Sequence, residues 1–265
     1  MNKKETRLNN FIHFLKIKNS ITVKEMATHL NVSEMTVRRD IKELTADHTI
    51  NFENGKIMFN PQSSLSEASP SYSLESEKEK RNLQKELIGK FAATLVEPND
   101  TVIIDSGSTT EHLAHYIPDS MPVTALCYSM NILNELITKE DISLIFPGGF
   151  YHPNAQMFES QQAIDLINQI RANKVFLSAA GIHRELGITC MHNYEISTMQ
   201  AVIKSSVTKI LLADSSKFDQ IRPAYFASLE CIDIIVTDHY LAEEWQEYIR
   251  GLLSSKNAPA FPLRK

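Results

Sequence analysis

The chain has 265 residues, 43% of them hydrophobic and 22% charged, a soluble globular composition with room for a small domain beside a medium one. Its first ten residues, MNKKETRLNN, hold no apolar leader, and no run approaches the roughly 18 apolar residues of a membrane-spanning helix. Cys127, Cys190 and Cys231 have no CxxC spacing; they read as reduced thiols of a cytoplasmic protein, excluding a disulfide or zinc framework. Net charge is −5, but residues 1–60 hold ten Lys/Arg against seven Asp/Glu, so a head of +3 sits on a body of −8. That asymmetry points the head alone at a polyanion.

In chain order, Leu8, Phe11, Ile12 and Leu15 recur at helical spacing within residues 6–19 and predict a first amphipathic helix. Thr22 stands three before Glu25, a capping box that opens a second helix over VKEMATHL. Asn31 supplies a turn, and Ser33 can cap a third helix over EMTVRRDIKELT. Two short helices joined across LNVS have helix-turn-helix spacing. On the third helix, Val37, Ile41 and Leu44 face one way, and Met35, Arg39 and Lys42 the other, with Thr36 and Arg38 on the flanks. Arginine reaches guanine edges or phosphates, threonine contacts bases or phosphates, and methionine meets a thymine methyl. The plainer alternative is that the arginines form a solvated face. TINFENGKIMFN, with ENGK at its centre, can form a wing hairpin.

Residues 61–77, PQSSLSEASPSYSLESE, contain seven serines and two prolines and read as a linker. The expected organisation is therefore a helix-turn-helix domain over 1–60, with its motif at about 22–41, a linker over 61–77, and a second domain over 78–265. In EKEKRNLQKELIGKFAATLVEP, Leu83, Leu87, Phe91 and Leu95 lie four apart before Pro98, which predicts an amphipathic helix burying those residues. Six apolar runs follow: TVIID, VTALC, SLIFPGG, KVFLSAAG, KILLAD and IDIIVTD. Helical stretches separate most of them, so the runs predict strands buried on both faces of a mostly parallel, Rossmann-like α/β sheet.

The stretch IIDSGSTTEH (103–112) places a glycine and four hydroxyl residues between a strand and a helix. At the carboxyl end of a parallel strand such a turn cradles anions, because helix amides point outward there. Ser106, Ser108, Thr109 and Thr110 supply hydroxyls, and Gly107 permits close backbone approach. A carboxylate repels phosphate, so Asp105 fits sugar hydroxyls or loop orientation. CYSMN (127–131), FPGG (146–149), SAAGIH (178–183) and ADSSKF (213–218) also end apolar runs and would converge on the same rim. His112 and His115 have a metal-ligand spacing but no third ligand, and Cys190 with His192 lacks an acid, so neither pair is read as a site. Trp245 reads as part of a C-terminal packing helix.

ITVKEMATHLNVSEMTVRRDIKEL resembles the N-terminal helix-turn-helix of the DeoR family of bacterial sugar-metabolism repressors. The resemblance implies DNA contacts by Ser33, Met35, Thr36, Arg38 and Arg39; helix geometry adds Lys42. The wing lacks the arginine and paired glycines that many family members carry. The resemblance continues through residues 80–240: DSGSTT, Gly148 and Gly149, the Gly181 to Gly187-Ile188-Thr189 spacing, Glu195 and DSSKF. It implies a winged helix-turn-helix followed by a sensor similar to ribose-5-phosphate isomerase, responding to phosphorylated sugars. ATLVEP, TALCYSMN, SAAGIH with GITC, and SKFDQIRPA look most like members serving deoxyribonucleoside catabolism, which implies deoxyribose 5-phosphate as effector. Effector contacts are then expected from Asp105, Ser106, Gly107, Ser108, Thr109, Thr110, Tyr128, Ser129, Asn131, Gly148, Gly149, Gly181, Glu195 and Lys217. Glu195 either orients the effector or caps its helix. Met199 stands where many members have lysine, leaving Lys217 as the main cation, with Lys204 and Arg184 weaker. The partners implied are operator DNA, the sugar phosphate and a second copy of the chain, since dimers read two half-sites. No cofactor or metal is expected. The competing readings are an activator, a DeoR-type regulator of another sugar-phosphate pathway, and a phosphosugar isomerase with a DNA-binding head; the last needs a base, and neither Glu195 nor Asp105 pairs with an acid or lysine in the sequence.

Overall fold

The computed structural model describes residues 7–8, 11, 14–15, 18, 20–46, 50–53, 55–59, 72–254 and 261–262. Residues 61–71 of the expected linker, and Ile12 of the first-helix stripe, lie outside them. The chain divides into two compact units, Met1–Ser71 and Tyr72–Lys265.

In the first unit, β1 (Ser20–Thr22) leads into α1 (Val23–Leu30) and α2 (Glu34–Ala46), followed by β2 (Ile50–Glu53) and β3 (Lys56–Phe59). Strands β2 and β3 pair antiparallel through Glu53 opposite Lys56, and β1 adds to β3, giving the expected wing. Thr22 and Glu25 form the capping box, and Asn31 closes α1 at φ 52 in the left-handed region that asparagine tolerates. Ser33 Oγ accepts the Thr36 amide at 3.2 Å. Phe11, Leu15, Met26, Val37, Ile41 and Leu44 share one core, as the helical spacing requires.

The second unit begins with α3 (Leu74–Glu79) and α4 (Asn82–Ala93). The linker expectation thus extends too far: Leu74 is buried, and its amide donates to the Asn154 carbonyl at 2.8 Å. Nor is the following helix continuous, because Arg81 takes φ 52 between α3 and α4 while its guanidinium reaches Ser215 Oγ at 2.8 Å.

The face expected to be buried on α4 is also corrected. Leu83 and Leu87 are 71% and 53% exposed, whereas Lys85, Ile88, Gly89 and Ala92 are buried. The cause is close helix packing: a Cβ on Gly89 would lie 2.4 Å from His112 Cβ on α5 (Ser108–Tyr116). Small residues at the contact, not leucines, allow that approach.

The remaining elements alternate: β4 (Thr101–Ile104), α5, β5 (Val123–Cys127), α6 (Met130–Leu136), β6 (Ile142–Ile145), a hairpin of β7 (Phe150–His152) and β8 (Met157–Glu159), α7 (Gln161–Gln169) and β9 (Ala172–Ser178). Then come β10 (Gly181–His183), β11 (Gly187–Cys190), α8 (Asn193–Lys204), β12 (Ser206–Leu212), β13 (Ala224–Ala227), β14 (Ile234–Thr237), α9 (Glu243–Ser254) and β15 (Phe261–Pro262). The central sheet runs β15-β14-β12-β9-β4-β5-β6, with every pair parallel. All six predicted apolar runs lie in it. Successive strand residues point to opposite faces, so Val102, Ile104 and Phe176 pack with Ile88, Leu113 and Ile132 on one side. Ile103, Val175 and Leu177 pack with Ile167, Val202 and Trp245 on the other. The sheet is covered on both faces, which explains its unalternating sequence. Strands β10, β11 and β13 form a separate antiparallel sheet. No helix among the described residues is long and apolar enough to cross a membrane.

Candidate functional site

On α2, one face is core and the other is free. Val37, Ile41 and Leu44 are buried, Met35 is 75% exposed, and Arg38, Arg39 and Lys42 are exposed. Among the described residues no ion pair or hydrogen bond engages those three cations. Ser33 and Thr36 are partly committed to the cap, their hydroxyls 3.0 Å apart. The helix is anchored from behind by Asp40, a buried carboxylate gripped by the Arg7 guanidinium at 2.8 and 2.9 Å. Such a two-pronged contact fixes orientation as well as charge.

In the second unit, a cleft of about 490 Å³, including its solvent-open mouth, lies at the carboxyl ends of β4, β9 and β12. Among its walls are Ser106, Gly107, Ser108, Thr109, Glu195 and Lys217, all expected. The first turn of α5 has no side-chain cap, so its first amides lack a side-chain partner, and its residues Ser108 and Thr109 line the cleft. A Cβ on Gly107 would fall 2.8 Å from Ser178 Cβ and Oγ, so the glycine lets the loop pack against the end of β9.

Asp105 does not face the cleft as a sugar ligand. It is buried, and its carboxylate accepts from the Ser106 amide at 2.8 Å, Tyr128 Oη at 2.5 Å, and the Ser178 amide at 2.9 Å. The Ser178 hydroxyl lies 3.0 Å from the same carboxylate. The Ser178 hydroxyl donates its one hydrogen to the nearer Ser106 carbonyl at 2.6 Å; held by the other three donors, Asp105 orients the loop and ties β4 to β9. Burial pushes its pKa up to about 6, against the pull of these hydrogen bonds.

Other expected ligands form a layer beneath the cleft. Thr110 is fully buried, its hydroxyl on the Gly107 carbonyl at 3.1 Å. Asn131 donates to that carbonyl at 3.0 Å and to Glu111 at 2.9 Å, while Tyr128 supports Asp105 and Ser129 is buried. Gly148, at φ 68, and Gly149, at φ 142, shape the turn into β7, and Gly181 abuts the Gln220 carbonyl; none of these three lines the cleft. Arg184 lies over the Trp245 ring at 4.8 Å, away from it. His112 meets Asn82 and His115 meets Glu135, and Trp245 is buried with its indole N–H on Asp219.

Of the two roles open for Glu195, the structure shows the helix cap. Its Oε1 accepts the His192 amide at 2.9 Å, capping α8, and it lines the cleft. Burial first, then the neighbouring Asp105, pushes its pKa up to about 8. Near neutrality it is mostly a protonated acid and can donate a hydrogen bond.

Tyr72, Glu77, Ser178, Met191 and Met199 also line the cleft. Glu77 pairs with Lys217 at 2.8 Å and with Lys80 at 2.7 Å. Burial pushes the Glu77 carboxyl up, but the two lysines outweigh it and hold the pKa at about 2. Lys85, fully buried, donates to the Glu77 carbonyl, and burial and then Lys217 lower its pKa to about 8. Ser178 lay inside the SAAGIH strand end, whereas Tyr72 and Glu77 fell in the serine-rich stretch and carried no local signal.

The DeoR-like helix-turn-helix domain profile matches residues 7–57, and the DeoR C terminal sensor domain profile matches residues 80–239. Over 194 residues the chain is 31% identical to the deoxyribose operon repressor of Escherichia coli strain K12, covering 73% of this chain and 75% of that one. It is 33% identical over 160 residues to the HTH-type transcriptional regulator GolR of Listeria innocua, covering 60% and 63%. Solved structures are more distant. Ribose 5 phosphate isomerase A from Neisseria gonorrhoeae aligns with a TM-score of 0.38 at 16% identity, over 51% of this chain and 52% of that one. eIF2B delta from Chaetomium thermophilum aligns at 0.44 and 14%, over 60% and 56%. With both matched segments in order and most of its length aligned to a repressor, the chain belongs to the DeoR family of transcriptional regulators.

Proposed function

We propose that the chain is a repressor whose first unit binds operator DNA through Met35, Thr36, Arg38, Arg39 and Lys42, and whose second unit binds a phosphorylated sugar that releases it. The effector assigned is deoxyribose 5-phosphate, by analogy with the deoxyribose operon repressor it resembles. One observation carries the ligand class: the uncapped first turn of α5, with Ser106, Ser108 and Thr109, shares a cleft with Lys217. Helix amides with a cation suit a phosphate, while the raised pKa of Glu195 removes a repelling charge and provides a donor for a sugar hydroxyl. A homo-oligomer presents two heads to two half-sites.

Sensing without turnover fits the carboxylates. Isomerisation needs a free base within reach of a carbon-bound proton. Asp105 is buried and already holds three donors, and Glu195 is mostly protonated near neutral pH.

The test is an operator-binding titration at fixed salt with a panel of sugar phosphates. Deoxyribose 5-phosphate is expected to weaken operator binding by about 5- to 150-fold, the usual range of allosteric coupling. Release by a different sugar phosphate alone reassigns the effector. Release by none, or steady turnover of a pentose phosphate, refutes the sensor reading.

A further inference from the structure

The cleft proposed to hold phosphate already holds an anion. Glu77 Oε2 lies 2.8 Å from Lys217 Nζ, and Glu77, Lys217, Ser106 and Thr109 line the same cleft. The two partners are 140 residues apart in sequence, and each side chain is less than one-fifth exposed. Lys80 is on the other Glu77 oxygen at 2.7 Å, and buried Lys85 donates to the Glu77 carbonyl. One glutamate therefore engages three lysines, and of these Lys217 lines the cleft. A phosphate dianion is a stronger counter-charge for Lys217 than a single carboxylate. Both anions cannot occupy Lys217 without repelling each other.

We propose that Glu77 is the resident anion of the phosphate site, exchanged for the ligand's phosphate on Lys217 when the effector binds. Resting on the sugar-phosphate reading above, this assigns the regulation of that site. The exchange makes the site selective, because a neutral sugar offers Lys217 nothing in place of the carboxylate. It also gives occupancy a mechanical consequence. Glu77 belongs to α3, the six-residue helix immediately after the unit boundary at Ser71. Helix α3 is also held by buried Leu74, whose amide donates to the Asn154 carbonyl, by Lys85 on the Glu77 carbonyl, and by side-chain pairs such as Lys78 with Glu111 at 3.0 Å and Gln156 with Glu75 at 2.6 Å. Losing the Lys217 contact loosens the segment through which the chain continues into the DNA-binding unit. A ligand shifts a conformational equilibrium only through such a difference in contacts.

The experiment uses the full chain with deoxyribose 5-phosphate and inorganic phosphate as probes, measuring their affinity by calorimetry for wild type, Glu77→Gln and Lys217→Ala. Amide hydrogen exchange follows residues 73–80 in wild type, with and without probe. Glu77→Gln is expected to bind probe about tenfold tighter, equivalent to about 1.4 kcal/mol, and Lys217→Ala to lose binding. Exchange at 73–80 is expected to quicken about threefold or more on ligation as the helix opens. Probe binding lost in Lys217→Ala but no tighter in Glu77→Gln, or ligation that slows exchange at 73–80, overturns the exchange while leaving the phosphate site standing. Failure of both probes to bind wild type and Glu77→Gln alike, or undiminished binding to Lys217→Ala, removes the site reading itself.

Discussion

The two units hold their positive charge in opposite ways. On α2 of the head, Arg38, Arg39 and Lys42 stand in solvent without a protein partner among the described residues, on a helix pinned from behind by Arg7 and Asp40. In the body, Lys217, Lys85, Lys80 and Arg81 are each engaged by Glu77 or by the 214–215 turn. A face of the first kind meets a polyanion by releasing counterions, with no internal contact to break. A site of the second kind accepts a ligand only by exchanging partners, which couples binding to a change in the protein. The difference between a reading head and a sensing body is thus visible in their cations.

Two substitutions sharpen that comparison. The larger effect belongs to the head. Arg39→Ala should weaken operator binding by about 1–3 kcal/mol if it reaches a base, or reduce the salt slope by about one if it reaches a phosphate. Calorimetry of the same variant should give an unchanged effector affinity; equal losses of both would make Arg39 structural. The smaller effect belongs to the body. Glu195 is raised to about 8, so between its unfolded value near 4.5 and that pKa the folded state binds the extra proton. Its contribution is fully present at low pH and is lost as pH rises toward 8. Effector affinity should therefore fall several-fold between pH 7 and 9, as ionised Glu195 comes to repel phosphate. Glu195→Gln should flatten that fall; a variant that keeps the wild-type pH profile places the titration elsewhere.

Much of the fold was legible locally, and its misses share a cause. The Thr22–Glu25 box, the Asn31 turn and the buried stripe of Val37, Ile41 and Leu44 are interactions within a few residues, so spacing alone exposes them. The six central strands announced themselves because a sheet covered on both faces needs unbroken apolar runs. Helix α4 misled because the pattern rewards leucine, while its contact with α5 demands the small Gly89, leaving Leu83 and Leu87 outside. Of the residues that line the cleft, Ser106–Thr109 and Lys217 stood out because they follow recognisable strands, whereas Glu195 was singled out by the family resemblance. Asp105 was assigned to the ligand because nothing local reveals Tyr128 and Ser178 as its partners. Glu77 was passed over for the same reason: serine-rich surroundings mark a linker, and the lysine that holds it lies far along the chain.

In the proposed reading cleft and head are thermodynamically coupled, and coupling is reciprocal. The most direct measurement is the affinity for deoxyribose 5-phosphate of the full chain, free and saturated with operator, at one salt concentration. The operator-bound chain should bind the effector more weakly, by the same factor as the effector weakens operator binding. Identical effector affinities with and without operator would contradict it.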